Sequence, residues 1–262
     1  MEIIKNDIDG GKGFDFGRAS EDYAKYRDIY PESFYEKLLF FGVGTAGQRV
    51  LDLGTGSGVI PRNMLRFGAK FTGADISPDQ IGQAKRLSSG MDIDYIVCPA
   101  DKTGLPNNSF DAVTAVQCFW YFDVPATVPE IHRVLKPGGR FAVLSMIGLP
   151  RESAVLAKSE ELVLKYNPGW NGNDFERVEL APFDWAGDLF YAETLHTCIE
   201  DLEFTREAWC GRMRACRGVG ASLPPDMVAE YDKEHDAALK EMAGDKFRIP
   251  HQILMNIYRA RK

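Results

Sequence analysis

The sequence has little of what secretion, membrane insertion or metal binding requires. Its five cysteines, Cys98, Cys118, Cys198, Cys210 and Cys216, are odd in number and form no CxxC pair, and none of its four histidines stands at metal-ligand spacing to them. A disulfide framework and a thiolate metal site are excluded, no metal is expected, and reduced thiols fit a cytoplasmic protein. Long hydrophobic runs are missing too. The longest mostly apolar stretch, FAVLSMIGLP from Phe141, falls far short of the roughly 20 residues that cross a bilayer. The start, MEIIKNDIDGGKGF, lacks the apolar core of a signal peptide. Neither secretion nor a membrane partner is expected. Positive charge is also in deficit: 31 Lys and Arg against 38 Asp and Glu leave a net −7. Such a balance repels phosphate backbones, so nucleic acid is not an expected partner.

What is present suits one large globular domain, with 45% hydrophobic, 11% aromatic and 26% charged residues in a chain of 262. After a glycine-rich segment, residues 1–22, expected to be mobile, PESFYEKLLFF reads as a helix with Phe34, Leu38 and Phe41 on one face. Strand and helix signals then alternate. RVLDL from Arg49 is a short buried strand ending in glycines, VIPRNMLRFG is a helix stopped by Gly68, and KFTGADI is a second strand. SPDQIGQAKRLSSG opens on Ser77 as N-cap, with Pro78 in the first turn, Gln80 completing a capping box and Gly90 as the stop. IDYIVCPA, FDAVTAVQC and RFAVLSMI supply three more strands, the last after a helix ending at LKPGG. Strands interleaved with helices between residues 49 and 147 predict a parallel sheet covered on both faces, an α/β fold. Beyond Ile147 the rhythm breaks. SAVLAKSEELVLKY, REAWCGRMRACR and DMVAEYDKEHDAALKEM read as helices, the last with Val228, Tyr231, His235, Leu239 and Met242 in one stripe. LHTCIEDLEFT and HQILMNIYRAR read as two further strands. The expectation is a single domain over residues 23–262, with helical lid insertions at about 150–185 and 205–246.

DLGTGSG, from Asp52 to Gly58, lies between a strand and a helix, where glycines let a ligand approach the backbone. A dinucleotide site would carry GxGxxG with a pyrophosphate against the loop. Here Gly54, Gly56 and Gly58 are spaced GxGxG, and Asp52 precedes them at the strand end. A carboxylate there repels a pyrophosphate and suits ammonium and sulfonium charges, which favours S-adenosylmethionine over NAD. Asp75 ends the next strand, 23 residues on, where a carboxylate can accept from both ribose hydroxyls. Asp101 follows the third strand, positioned to accept from an adenine amino group, with Ile76 available to pack on the ring. Each acid alone serves equally well as a cap or turn residue. Their joint position at carboxyl ends of parallel strands is what points to a ligand.

These segments, YAKYRDIYP, VLDLGTGSG, GADIS, ADKTGLPNNSFDAV and EIHRVLKPGG, together resemble the class I S-adenosylmethionine-dependent methyltransferases, especially their type 11 small-molecule group. The resemblance covers about Tyr23 to Met146 and implies a doubly wound, seven-stranded, mostly parallel Rossmann-like sheet. It also implies that Gly54, Thr55, Gly56 and Gly58 line the methionine moiety, that Asp75 holds the ribose, and that Asp101 with Ala100 holds the adenine. Gln117 would lie near the methionine amino group, and Tyr23, Tyr26 and Arg27 would close over the cofactor carboxylate. A looser similarity links the chain to relatives of trans-aconitate methyltransferase, many of which look like HWFD where this chain has FWYFD. Trp120 then stands at the position of that His, and a base role does not carry over.

Methyl transfer is an in-line displacement that orientation and desolvation can largely catalyse, so no catalytic residue is assigned. His132, His196, His235 and His251 read as structural. Acceptor-site candidates are Trp120 and Tyr121, as an aromatic wall, and Arg212, which helical spacing places beside Trp209, Met213 and Cys216 while Arg206, Arg214 and Arg217 group elsewhere. The expected activity is methyl transfer to a small-molecule acceptor, carboxylate-bearing if Arg212 reaches it, with S-adenosylhomocysteine as product. Three alternatives stay open: a nucleic-acid methyltransferase, disfavoured by charge and by FWYFD in place of a Pro-Pro-aromatic signature; an oxidoreductase; and a non-catalytic cofactor-binding module.

Overall fold

The computed structural model describes residues 2–262. The chain divides into two compact units: a sheet unit of residues 30–146, 179–198 and 253–262, and a helical unit of residues 1–29, 147–178 and 199–252.

In the sheet unit, α2 (Glu32–Phe40) precedes β1 (Arg49–Leu53), whose Val50, Leu51 and Leu53 are buried because parallel strands are covered on both faces. Then come α3 (Val59–Met64), β2 (Lys70–Asp75), α4 (Pro78–Leu87), β3 (Ile93–Val97), β4 (Phe110–Val116) and α5 (Val124–Val134). Ser77 caps α4, accepting the Gln80 N–H at 3.4 Å, as the SPDQ pattern predicts. With β5 (Leu135–Gly148), β6 (Phe190–Thr205) and β7 (Lys246–Ala260), the strands form a seven-stranded sheet in the order β3-β2-β1-β4-β5-β7-β6. The pairings β1–β2, β1–β4, β2–β3 and β4–β5 are all parallel. The order reverses at β1, so the ligand crevice of a doubly wound sheet falls at the carboxyl ends of β1 and β4. β5 starts earlier than the apolar run suggests. Its register with β4 jumps from Phe110↔Leu135 to Ala112↔Arg140, which takes LKPGG into the strand as an irregular lead-in.

In the helical unit, residues 2–29 are built in by an antiparallel bridge between Ile3 and Phe14 and by α1 (Ser20–Tyr26). α6 (Ala154–Tyr166), α7 (Arg206–Arg214) and α8 (Pro225–Met242) surround a core of Leu156, Val163, Trp209, Met213, Tyr231 and Leu239. The stripe expected on α8 is buried at Tyr231, His235 and Leu239, whereas Met242 at its end is 44% exposed. α1 packs on α7 at Gly211, where an added Cβ would lie 2.1 Å from Cδ2 of Tyr26. Arg214 bonds both Asp22 of α1 and Asp232 of α8, and Arg217 forms a bidentate pair with the buried Asp9. Among the described residues no helix is long and apolar enough to cross a membrane.

Candidate active site

β1 delivers Asp52 to the crevice edge, but its carboxylate turns inward. Thr55 Oγ1 donates to one oxygen at 2.7 Å and Thr114 Oγ1 to the other at 2.6 Å, so Asp52 ties the glycine turn to β1 and β4. It is 2% exposed, and burial pushes its carboxyl up to about 6 against the opposing pull of the two hydroxyls. The turn itself needs glycine. Gly54 has φ +65°, and an added Cβ would meet Cys118 Sγ at 2.7 Å. Gly58, at φ +76°, lies under the Tyr95 hydroxyl, which a Cβ would strike at 2.3 Å.

Asp75 is the acid left partly open at the carboxyl end of β2. Gly56 N–H donates to its Oδ2 at 2.8 Å and Ser77 N–H to its Oδ1 at 2.9 Å, leaving each oxygen capacity for one more donor. Burial raises its pKa, and the N–H groups of Ser77, Gly56 and Ile76 pull it back. Beside it Ile76 is 38% exposed. Asp101 is exposed and Ala100 half-buried; two residues beyond Asp101, Thr103 donates through its N–H (2.9 Å) and its hydroxyl (2.5 Å) to Glu130. Arg133 and Thr103 hold the Glu130 carboxyl down at about 2 despite partial burial, fixing the loop that carries Asp101. Gln117 stands just past β4 at φ +59°, an unusual conformation for a side chain with a Cβ. Its backbone N–H donates to Leu144 O at 2.9 Å and its amide NH₂ to Met146 O, so its amide oxygen is the end that can meet an ammonium group. Trp120 is 41% exposed and lies edge-on to the half-buried Tyr121, their centroids 5.5 Å apart.

The structure thus gathers Asp52, Gly54, Thr55, Gly56, Asp75, Ile76, Ala100, Asp101, Gln117, Trp120 and Tyr121 in the sheet unit. Tyr23, Tyr26, Arg27 and Arg212 belong to the helical unit. There the Tyr26 hydroxyl donates to Glu207 at 3.0 Å, Arg27 lies 5.2 Å from the Tyr23 ring centroid, and the 9%-exposed Arg212 lies 4.9 Å from that of Trp209.

A methyltransferase domain family matches residues 51–143 of this chain, the span from β1 into β5. Over 178 residues the chain is 31% identical to a ubiquinone biosynthesis O-methyltransferase of Xanthomonas oryzae pv. oryzae, covering 64% of this chain and 71% of the relative. It belongs to the class I S-adenosylmethionine-dependent methyltransferases. A shorter match, 42% identity over 106 residues, reaches a ubiquinone/menaquinone biosynthesis C-methyltransferase UbiE of Desulfotalea psychrophila, covering 38% of this chain and 41% of that protein. Among solved structures, the YcgJ protein of Bacillus subtilis shares the fold at a TM-score of 0.55 and 19% identity, over 88% of this chain and all of that one.

S-adenosylmethionine is therefore the cofactor of this methyltransferase, and the residues present fit it. The turn from Asp52 to Gly58 contains no basic side chain for a pyrophosphate, and the half-open carboxylate of Asp75 offers acceptors of the kind a ribose diol needs. Sequence reading missed Tyr95, whose ring fills the space over Gly58 and Gly73; a Cβ on Gly73 would meet it at 2.7 Å. The signal was there in two glycines on neighbouring segments facing one aromatic residue.

Proposed function

We propose that the methyltransferase acts on a small organic acceptor bearing a negative group, and that its cofactor is held by the sheet-unit residues in the roles the family resemblance gives them. Asp75 takes the ribose hydroxyls, Asp101 with Ile76 and Ala100 takes the adenine, and Gly54, Thr55, Gly56 and the Gln117 amide oxygen face the methionine end, with Asp52 holding the turn from behind. Tyr23, Tyr26 and Arg27 serve the cofactor carboxylate. Arg212 takes the anionic group of the acceptor, Trp120 and Tyr121 wall its apolar part, and the helical insertions act as a lid. When bound, the cofactor supplies a methyl group on a cationic sulfur that leaves as a neutral thioether. The protein's task is to orient the acceptor and exclude water.

The observation that carries this reading is the Asp75 carboxylate, braced by Gly56 and Ser77 N–H groups beside a turn without basic residues. The relative that is an O-methyltransferase of ubiquinone biosynthesis supports a small acceptor and transfer to oxygen. The net charge of −7 speaks against nucleic acid, and cysteines without a bonded partner fit a cytoplasmic setting. Calorimetric titration tests the reading: S-adenosylhomocysteine binds and NADH does not, and Asp75→Ala weakens the nucleoside at least tenfold. NADH binding to the wild type, or an Asp75→Ala variant with unchanged affinity, overturns it.

A further inference from the structure

His251, on β7 within the helical unit, has no exposed surface. Its Nδ1 lies 2.9 Å from the carbonyl oxygen of Ile249. A carbonyl only accepts, so Nδ1 carries the ring proton and Nε2 carries a lone pair. That lone pair is buried and has no hydrogen-bond partner among the described residues. Burial, reinforced by the positive charges of Arg212 and Arg27, pushes the imidazole down to about 3, so the ring stays neutral at physiological pH and Nε2 remains an acceptor. A Cβ built on Gly148 would stand 3.8 Å from Nε2, and Gly148 is the last residue of β5. The imidazole therefore sits at the carboxyl end of a strand, the end where open α/β sheets bind ligands. Phe204 lines one side, its ring centroid 5.9 Å away. An unpaired buried acceptor costs stability, and such groups persist where a function needs them.

We propose that Nε2 of His251 accepts a hydrogen bond from the hydroxyl group of the methyl acceptor. His251 is then a specificity-determining residue, and the acceptor is a small hydroxy acid whose anionic group faces Arg212. This inference rests on the methyltransferase reading above and adds the hydroxyl to it. Entry of the acceptor requires local opening of the helical unit, as in other lidded enzymes.

The test uses the full chain loaded with S-adenosylhomocysteine, so a failure of the cofactor reading shows first, as no heat on loading. The probes are 4-hydroxybenzoate, 3,4-dihydroxybenzoate and 4-methoxybenzoate. In nitrogen-15 NMR of the wild type, the hydroxy acids shift the Nε2 resonance of His251 toward its hydrogen-bonded position and the methyl ether does not. By calorimetry the wild type prefers 4-hydroxybenzoate over its ether about tenfold, or about 1.4 kcal/mol. His251→Asn, which retains a donor for the Ile249 carbonyl but has no atom at Nε2, loses that preference and keeps its affinity for S-adenosylhomocysteine. A resonance already hydrogen-bonded before any probe is added identifies a structural water and overturns the proposal. So does a resonance that no hydroxy acid moves, or a preference that survives in His251→Asn.

Discussion

The two units bury ionisable groups in opposite ways. The sheet unit takes a single carboxylate, Asp52, inside and gives it only hydroxyl partners, Thr55 and Thr114, so it keeps its charge at neutral pH at an energetic cost. The helical unit neutralises its acids with full cations, Asp9 with Arg217 and Asp22 and Asp232 with Arg214, and holds two rings uncharged: His235, pushed down to about 4, and His251, pushed down to about 3. Hydroxyl donors fix a carboxylate without cancelling its field, which suits the edge where a cationic cofactor arrives. Ion pairs and neutral rings serve where helices must be clamped to one another.

The contrast breaks most visibly at Arg217. Arg217→Ala leaves the Asp9 side chain, with no solvent exposure of its own, without its counter-ion. The expected loss is about 3–5 kcal/mol. Amide exchange should speed up in α6 and α7 and stay unchanged in β1; equal loss in β1 would mean the two units do not differ as described. Next comes Asp52→Asn. The folded pKa of Asp52 is raised to about 6 from 3.8, so its contribution is fully present below about pH 3.8 and is lost as pH rises through about 6. Between pH 4.5 and 7 the sheet unit of the wild type should lose about 2 kcal/mol that the Asn variant does not. Urea melts followed by exchange in β1 and β4 check this, and parallel pH profiles would refute it. The smallest effect belongs to His235, whose Nε2 lies 2.8 Å from Ser159 Oγ and whose pKa falls from 6.5 to about 4. Stability here is full above about pH 6.5 and is lost as pH falls toward 4, the opposite sign to Asp52. Going from pH 7.5 to 5.5, His235→Phe should escape a loss of about 1 kcal/mol in the helical unit. Glu160, pushed up to about 7 by burial, pulls the other way in the same unit, so variant and wild type are compared at each pH.

The sheet unit is the part that its sequence announces. Parallel strands buried on both faces read as short apolar runs, and a turn that must pass close to a ligand reads as alternating glycines. DLGTGSG and GADIS therefore locate β1, β2 and the crevice between them. The inward turn of the Asp52 carboxylate was not legible, because Thr114 is remote in sequence and becomes a partner only through β1–β4 pairing. In the helical unit, spacing alone groups Arg214 and Arg217 on one side of α7, but their partners Asp22 and Asp9 lie 192 and 208 residues away. The starts of β6 and β7 lie ahead of the patterns seen in sequence, since edge-strand residues such as Tyr191 and Glu193 are exposed and carry no apolar signal. His251 gave no sign at all. Its tautomer is set by a carbonyl two residues back and its isolation by packing.

The missing side chain at Gly211 ties its fate to that of Tyr26. With no room for even a methyl group against that ring, descendants of this gene can enlarge position 211 only by shrinking position 26 in the same step or earlier. The two sites should therefore change as a pair across a lineage, and a reconstructed ancestor carrying alanine at the first should carry a smaller residue at the second.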